Sequence, residues 1–124
     1  MREILFRGRD VAGNWHYGVP LVFTEDYICI TAPHTYNKMV IPETVGQYTG
    51  LTDKNGKKIF EDDIVNFKTT AYHFKNCRIK FQSCYGRYCA IDNKWYEYPM
   101  DKTFEYEVIG NIHDNPELLK ELGK

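Results

Sequence analysis

Short apolar and aromatic runs alternate along this chain with clusters of glycine, proline, asparagine and aspartate, a pattern that indicates β-strands joined by tight turns. Strands are predicted at residues 2–7, 15–17, 27–31, 39–41, 45–49, 78–81, 88–91 and 106–112. Helical signals are confined to the tail, where Asn115 is a candidate cap, Pro116 suits a first turn and Leu118, Leu119 and Leu122 form an apolar stripe before Gly123. The pattern therefore predicts a mainly β protein with a short C-terminal helix.

The middle of the chain carries the strongest turn signal. Within Asp53–Gly56, asparagine and glycine tolerate the positive φ angles that a tight hairpin turn requires. The acidic residues 61–63 then separate two apolar pairs, as they would where a strand turns the corner of a small barrel. This arrangement favours a compact antiparallel barrel of five or six strands.

The length of 124 residues suits one compact body, which can be bilobed but is too short for two ordinary domains. Hydrophobic residues make up 43% and charged residues 27%, so the chain is expected to fold. The least patterned stretch is residues 32–42. We therefore predict a β-rich N-terminal portion at residues 1–42 and a barrel with the terminal helix at residues 43–124.

Aromatic residues are unusually frequent, with ten Tyr, seven Phe and two Trp. A core of this size does not enclose that many rings completely. Some of them are therefore expected on the surface or in an interface.

Nothing in the sequence indicates a membrane or an export route. There is no apolar stretch of roughly 18 residues and no secretion signal, so the protein is expected in the cytoplasm. In that reducing compartment, the four cysteines are expected to be free thiols: Cys29, Cys77, Cys84 and Cys89.

Five blocks of the chain form a specific pattern: residues 15–18, the block Pro42–Leu51, the Asp53–Gly56 turn, the strand at 107–112 and the segment 115–119. In these blocks the chain resembles the YopX family of phage and prophage proteins. The resemblance implies a phage or prophage accessory protein of unknown biochemical role in the cytoplasm of a bacterial host cell, and an SH3-like barrel in the C-terminal half. The family bend usually reads Glu-Gly-Asp-Ile-Val, whereas this chain has Asp62 at the glycine position. Aspartate tolerates left-handed backbone better than most residues, so the bend is expected to persist.

Charge is unevenly distributed, although the net charge is only -1. Residues 66–95 carry six Lys or Arg against one acid, and residues 96–124 carry seven acids against three Lys. Basic and aromatic side chains interleave in the first of these segments, as in small barrels that hold single-stranded nucleic acid. The candidate binding residues are Lys68, Tyr72, Lys75, Arg78, Lys80, Phe81, Arg87 and Tyr88. The simpler interpretation is that the aromatic rings pack into a core, while the Lys and Arg side chains are solvated or form ion pairs with the acidic residues of 96–124.

Two groups contain residue types that bind metals. Glu61, Asp62 and Asp63, with His113, are carboxylate and imidazole ligands, but consecutive strand residues point alternately and are better explained as turn residues. Three cysteines with His73 lack the closely spaced ligand pairs of structural zinc sites. No catalytic or nucleotide-binding motif occurs. The protein is therefore expected not to be an enzyme and to use no cofactor and no metal.

Binding remains as the expected mode of action. The surplus of aromatic residues, the oppositely charged segments and a helix too short to be stable alone favour a protein-interaction or self-assembling module. Its partner would be an unknown protein or a second copy of the chain. The alternative is a single-stranded nucleic-acid-binding protein that uses the segment 66–95.

Overall fold

The computed structural model describes residues 3–92 and 94–120. Strands account for 54% of the chain and form two antiparallel sheets, which confirms the mainly β prediction. Contacts within the chain define two compact units, Met1–Tyr48 (unit 1) and Thr49–Lys124 (unit 2). The division predicted from the sequence, after residue 42, stays a prediction.

Unit 1 is an antiparallel sheet with the strand order β4-β3-β2-β1-β5. Its elements are β1 (Phe6–Arg9), β2 (Trp15–Thr24), β3 (Tyr27–Thr31), β4 (Lys38–Val40), a 3-10 helix at Pro42–Thr44 and the start of β5 (Gly46–Thr52). Strand β3 has the predicted bounds, whereas β1 begins later than the predicted strand at residues 2–7, and β2 runs well beyond residue 17. The turn between β1 and β2 lies at Gly13, whose φ angle is +93°.

The sheet of unit 1 curls so that its β4 end approaches β1. Ile41 N–H donates to the carbonyl oxygen of Arg9 at 2.8 Å. Gly8 lies against Val40, and a Cβ atom added at Gly8 would be only 2.7 Å from Val40 Cγ2. On the inner side of this curl, Ile30 and Val40 are buried. The close approach therefore requires glycine on β1.

Unit 2 contains a five-stranded antiparallel sheet with the order β10-β9-β8-β7-β11. Its elements are the rest of β5, its hairpin partner β6 (Lys58–Phe60), β7 (Asp63–Lys68), β8 (His73–Gln82), β9 (Arg87–Ile91), β10 (Glu97–Pro99), β11 (Glu105–Asn111) and helix α1 (Glu117–Lys120). The described strand pairings do not close into a barrel, so the predicted SH3-like barrel is not confirmed.

One face of this sheet forms the core of unit 2. The buried cluster consists of Ile59, Val65, Phe67, Cys77, Ile79, Ala90 and Tyr106. Phe67 lies at its centre and stacks on Phe74 with ring centroids 4.6 Å apart. Around it, Tyr98, Phe104 and Tyr106 complete a cluster of mutually packed rings.

Helix α1 is a single turn that follows Pro116. Asn76 Nδ2 on β8 donates to the carbonyl oxygen of Leu118 at 3.1 Å, which fixes the helix to the sheet. The side-chain oxygen of Asn115 accepts from Asn111 N–H at 3.3 Å, whereas the backbone carbonyl of Asn115 accepts from Leu118 N–H. Leu122 and Gly123, which were part of the predicted helix, lie outside the described residues. Within residues 3–92 and 94–120, no helix has the length and apolarity needed to cross a membrane.

Candidate interaction surfaces

An exposed surface of apolar side chains lies on unit 1. Tyr17, Val19 and Leu21 alternate along β2 and share one side of the sheet, because successive side chains of a strand point to opposite faces. The register places Met39 on β4 on the same side, since Leu21 pairs with Cys29 and Cys29 pairs with Met39.

A β-bulge extends this surface to the end of the β2–β3 hairpin. The register shifts between Val22 and Thr24, so that Phe23 lies beside Tyr27. The two rings meet edge to face with centroids 5.1 Å apart. We call the resulting surface the apolar face; its members, between 39% and 60% exposed, are Tyr17, Val19, Leu21, Phe23, Tyr27 and Met39.

Charged residues border the two ends of the apolar face. At one end, Arg9 is half-buried and pairs with Trp15 in register, and Arg7 is only 5% exposed, with its guanidinium over the ring of Trp15, 4.5 Å from its centroid. At the other end, Glu25 and Asp26 form the exposed hairpin tip. The exposed tip is therefore acidic, whereas the two arginines at the opposite end are half-buried or buried.

The eight candidate nucleic-acid-binding residues lie on β7, β8, β9 and the loops between β7 and β8, and they do not share one face. Phe81 and Tyr88 pair in register and contact edge to face, with centroids 5.1 Å apart, on the side of the Ile79–Ala90 pair that belongs to the core. Lys80 points to the opposite side of the sheet, where it pairs with Cys89. Rings and positive charges of these two strands are thus divided between the two faces.

Two of the basic candidate residues form ion pairs with acidic residues of unit 2. Arg78 Nη2 lies 2.9 Å from Asp62 Oδ1, and Lys68 Nζ lies 3.2 Å from Glu105 Oε2 on the neighbouring strand. Lys75, Lys80 and Tyr72 are exposed, and Arg87 lies over the ring of Tyr85, 4.8 Å from its centroid. The nucleic-acid site therefore stays a prediction.

Two of the residues considered as metal ligands, Asp62 and His113, lie close together. Asp62 Oδ2 lies 3.4 Å from His113 Nε2, although 51 residues separate them in the sequence. Asp63 has another role, since its Oδ2 accepts from Phe60 N–H at 2.7 Å inside the fold. Among the described residues, no three His, Cys, Asp or Glu side chains are placed to hold a metal ion.

The cysteines of unit 2 do not converge. Cys77 lies in the core and pairs with Val65, whereas Cys89 pairs with Lys80 on the other face. Burial, with a smaller contribution from the charge of Asp92, raises the pKa of the Cys77 thiol to about 12. A thiol held in this way is a poor nucleophile and a poor metal ligand near neutral pH.

Asp53 is a buried carboxylate whose importance the sequence pattern did not reveal. Its Oδ1 accepts from the N–H groups of Asn55 and Lys57, both at 2.9 Å, and its Oδ2 accepts from Val108 N–H at 3.1 Å. Burial raises the pKa of this carboxyl, but the three donors outweigh that effect and hold the pKa below its ordinary value. The residue ties the β5–β6 turn to β11.

Two clefts of unit 2 are lined largely by aromatic residues of the core and by paired charges. One, of about 260 Å³, is lined by Phe67, Thr69, Tyr72, Phe74, Tyr98, Pro99, Met100, Asp101 and Phe104. The other, of about 250 Å³, contains both Lys68 and its partner Glu105. Neither brings together the groups of a recognisable reaction.

Comparison with known proteins supplies the family. Residues 11–120 match the family model described as YopX protein. The chain belongs to the YopX family. Among solved structures, it is similar to the crystal structure of protein EF1440 from Enterococcus faecalis, with 26% sequence identity and a TM-score of 0.57. That similarity covers 96% of this chain and 99% of the other. No curated protein matches the chain.

Asp62 stands where the YopX pattern has glycine, and the backbone there keeps the geometry of a glycine bend. Its φ angle is +72°, which confirms the left-handed geometry predicted where the family pattern has glycine. The carboxylate that replaces glycine accepts from Arg78 Nε at 3.1 Å and from Arg78 Nη2 at 2.9 Å. Burial raises the pKa of Asp62, but His113 and Arg78 together hold it below its ordinary value. These partners offset part of the backbone cost.

Proposed function

We propose that this YopX-family chain is a phage or prophage accessory protein that acts without catalysis, in the bacterial cytoplasm, by binding a protein through the apolar face of unit 1. The observation that carries the proposal is the alternation of Tyr17, Val19 and Leu21 as exposed apolar side chains on one side of β2. A row of this kind, continued by further exposed side chains, marks a protein-interaction surface more often than a solvated one.

We infer that unit 2 serves as an SH3-like scaffold rather than as a site of chemistry. Its strand order has a four-stranded meander, β7 to β10, and a last strand, β11, that returns beside the first. This order is that of SH3-like folds and supports the assignment. The buried carboxylates of Asp53 and Asp63 accept hydrogen bonds from backbone N–H groups, a structural role rather than a reactive one.

Single-stranded nucleic-acid binding is the second candidate. The observation that favours it is the exposed group on and beside β8 and β9, in which Arg87 lies over Tyr85 and Lys75 and Lys80 face solvent. Bases stack on such rings and phosphates are attracted to such charges. The pairing of Lys68 and Arg78 with acids reduces the positive charge that remains for a phosphate backbone.

Affinity capture from cells in which the phage or prophage is induced tests the two candidates together. The tagged protein, with and without nuclease treatment, is compared with Leu21→Glu, with Val22→Glu as a matched control on the opposite face, and with Lys75→Glu/Lys80→Glu. A specific protein that survives nuclease and is lost only in Leu21→Glu supports the proposal. Capture that disappears with nuclease and in the double lysine variant contradicts it and favours nucleic acid.

A further inference from the structure

We propose that the protein bound by the apolar face is a second copy of this chain, in a two-fold dimer whose two β2 strands run antiparallel and face to face about an axis near Pro20. The inference rests on the proposed function, because it names the partner of the same surface. Such a contact requires that the surface complement itself in charge as well as in apolarity.

All six members of the apolar face are uncharged, and five lie on the adjacent strands β2 and β3 with Met39 beside them on β4. In a two-fold contact, each residue near the axis meets the same set of residues from the partner. An apolar set placed there brings no like charges together, and packing of two sheet faces removes water from both sets at once. The middle of the surface is thus self-complementary.

Charge fixes the orientation of the two strands. Trp15, beside Arg9, and Glu25 at the hairpin tip lie at equal distances in sequence on either side of Pro20. An antiparallel arrangement therefore places the acidic tip of each copy near Trp15 and Arg9 of the other and keeps the two acidic tips apart. A parallel arrangement would place Glu25 and Asp26 against their own copies, which like-charge repulsion disfavours.

Edge-to-edge pairing of the sheet is the less favourable way to join two copies of unit 1. Strand β4, at the edge of the sheet, has only three residues, Lys38–Val40, and offers few backbone hydrogen bonds. Such pairing would also leave Tyr17, Val19 and Leu21 in water. The face-to-face contact covers them, and it is the arrangement that the exposed side chains favour.

Sedimentation velocity of the full chain from micromolar to near-millimolar concentration is the test. The wild type is expected to shift from the 14.6 kDa monomer to a species of twice that mass. Leu21→Glu and, as a second variant, Met39→Glu are expected to weaken association by at least about tenfold, because each buries a charge in the interface. Val22→Glu, one residue away on the other face and at a side chain that is 67% exposed, is expected to associate like the wild type.

Circular dichroism of each variant separates loss of association from loss of folding. Folded Leu21→Glu and Met39→Glu proteins that still associate like the wild type would overturn the dimer, as would a wild type that stays monomeric throughout the range. Equal weakening by Val22→Glu would also overturn it, since that side chain lies off the face.

A charge variant tests the antiparallel orientation. Glu25→Lys/Asp26→Lys replaces the acidic tip by a basic one, which would lie near Arg9 of the other copy, so its self-association is expected to be weaker than that of the wild type. A mixed dimer of variant and wild type keeps one unchanged end and is expected to have intermediate strength. Because salt screens exposed charges, these differences are expected to shrink at high salt, and differences of undiminished size would contradict a charge-oriented contact.

Failure of the dimer and failure of the proposed function give different results. A monomeric wild type that still captures one specific protein, with capture lost in Leu21→Glu and retained in Val22→Glu, overturns the dimer and leaves the interaction surface standing. A monomeric wild type whose captured proteins are the same in both variants overturns both.

Discussion

The carboxylate of Asp53 accepts a hydrogen bond from the backbone N–H of Val108 at 3.1 Å, across 55 residues of chain. Beside it, Lys54 N–H donates to the carbonyl oxygen of Tyr106 at 2.8 Å. Strand β11 lies at the edge of the five-stranded sheet, and both bonds are made by its outer side, away from β7. Backbone groups on the outer side of an edge strand have no ladder partner, and the aspartate supplies one for Val108 N–H.

Replacement of Asp53 by asparagine is expected to lower the free energy of unfolding by about 1–3 kcal/mol. The amide keeps the size of the side chain but loses the charge and one acceptor oxygen, so that a buried N–H donor is left unsatisfied. Urea denaturation measures the loss. Asp26→Asn at the exposed hairpin tip is the matched control, and a loss of equal size in both variants would contradict the structural role of Asp53.

The stability of the protein is expected to fall below about pH 4 in part through Asp53 and Asp62. The folded pKa of each carboxyl lies below its ordinary value of 3.8, so the stabilisation is present above that value and is lost as pH falls through the folded pKa. Denaturation between pH 7 and pH 2.5 should show a shallower decline for Asp53→Asn than for the wild type. Parallel curves would mean that this carboxyl does not titrate with unfolding.

Gly18→Ala is expected to destabilise unit 1 severely, by roughly 3 kcal/mol or more. An added Cβ would lie 2.1 Å from the carbonyl oxygen of Thr31, and that backbone has no side-chain freedom with which to yield. Fluorescence of the neighbouring Trp15 during urea unfolding reports the change. Gly56→Ala is the control, because nothing lies within 4 Å of its added Cβ and only its positive φ angle resists, at about 1–2 kcal/mol. Equal losses would refute the steric argument.

Only one of the four cysteines is expected to react rapidly with a thiol reagent in the folded protein. Cys84 is exposed, whereas Cys29, Cys77 and Cys89 are buried. Titration with a chromogenic disulfide should give one fast equivalent in buffer and four in denaturant. Cys84→Ser should abolish the fast phase; two or more fast equivalents in the folded state would contradict the described burial.

The residue types within short stretches of the chain were enough to predict the β5–β6 turn, strand β3 and the bend at Asp62. Asn55 and Gly56 indicated the β5–β6 hairpin, and Gly56 does adopt a positive φ of +81°. The β-branched and aromatic run at residues 27–31 predicted β3 with its observed bounds. The positive φ at Asp62 also follows from residue type, since an aspartate replaces glycine there.

The second half of β2 was missed, and with it the apolar face. Gly18 and Pro20 look like strand breakers in sequence, yet Gly18 is required by its close approach to Thr31 and Pro20 pairs with Ile30 inside the sheet. Sequence analysis grouped His113 with Asp62 only because both are metal-binding residue types, and the contact itself depends on the pairing of distant strands. Tertiary contacts decide both features.

Backbone amide chemical shifts, measured by NMR over a dilution series of the full chain, test the central claim most directly. If the apolar face is the interaction surface, concentration-dependent shifts should cluster at residues 15–31 and 38–40, with the largest near Leu21 and Phe23, and should vanish in Leu21→Glu but persist in Val22→Glu. Shifts that cluster instead within residues 66–95, or that are absent at every concentration while the protein is folded, would contradict self-association through this face.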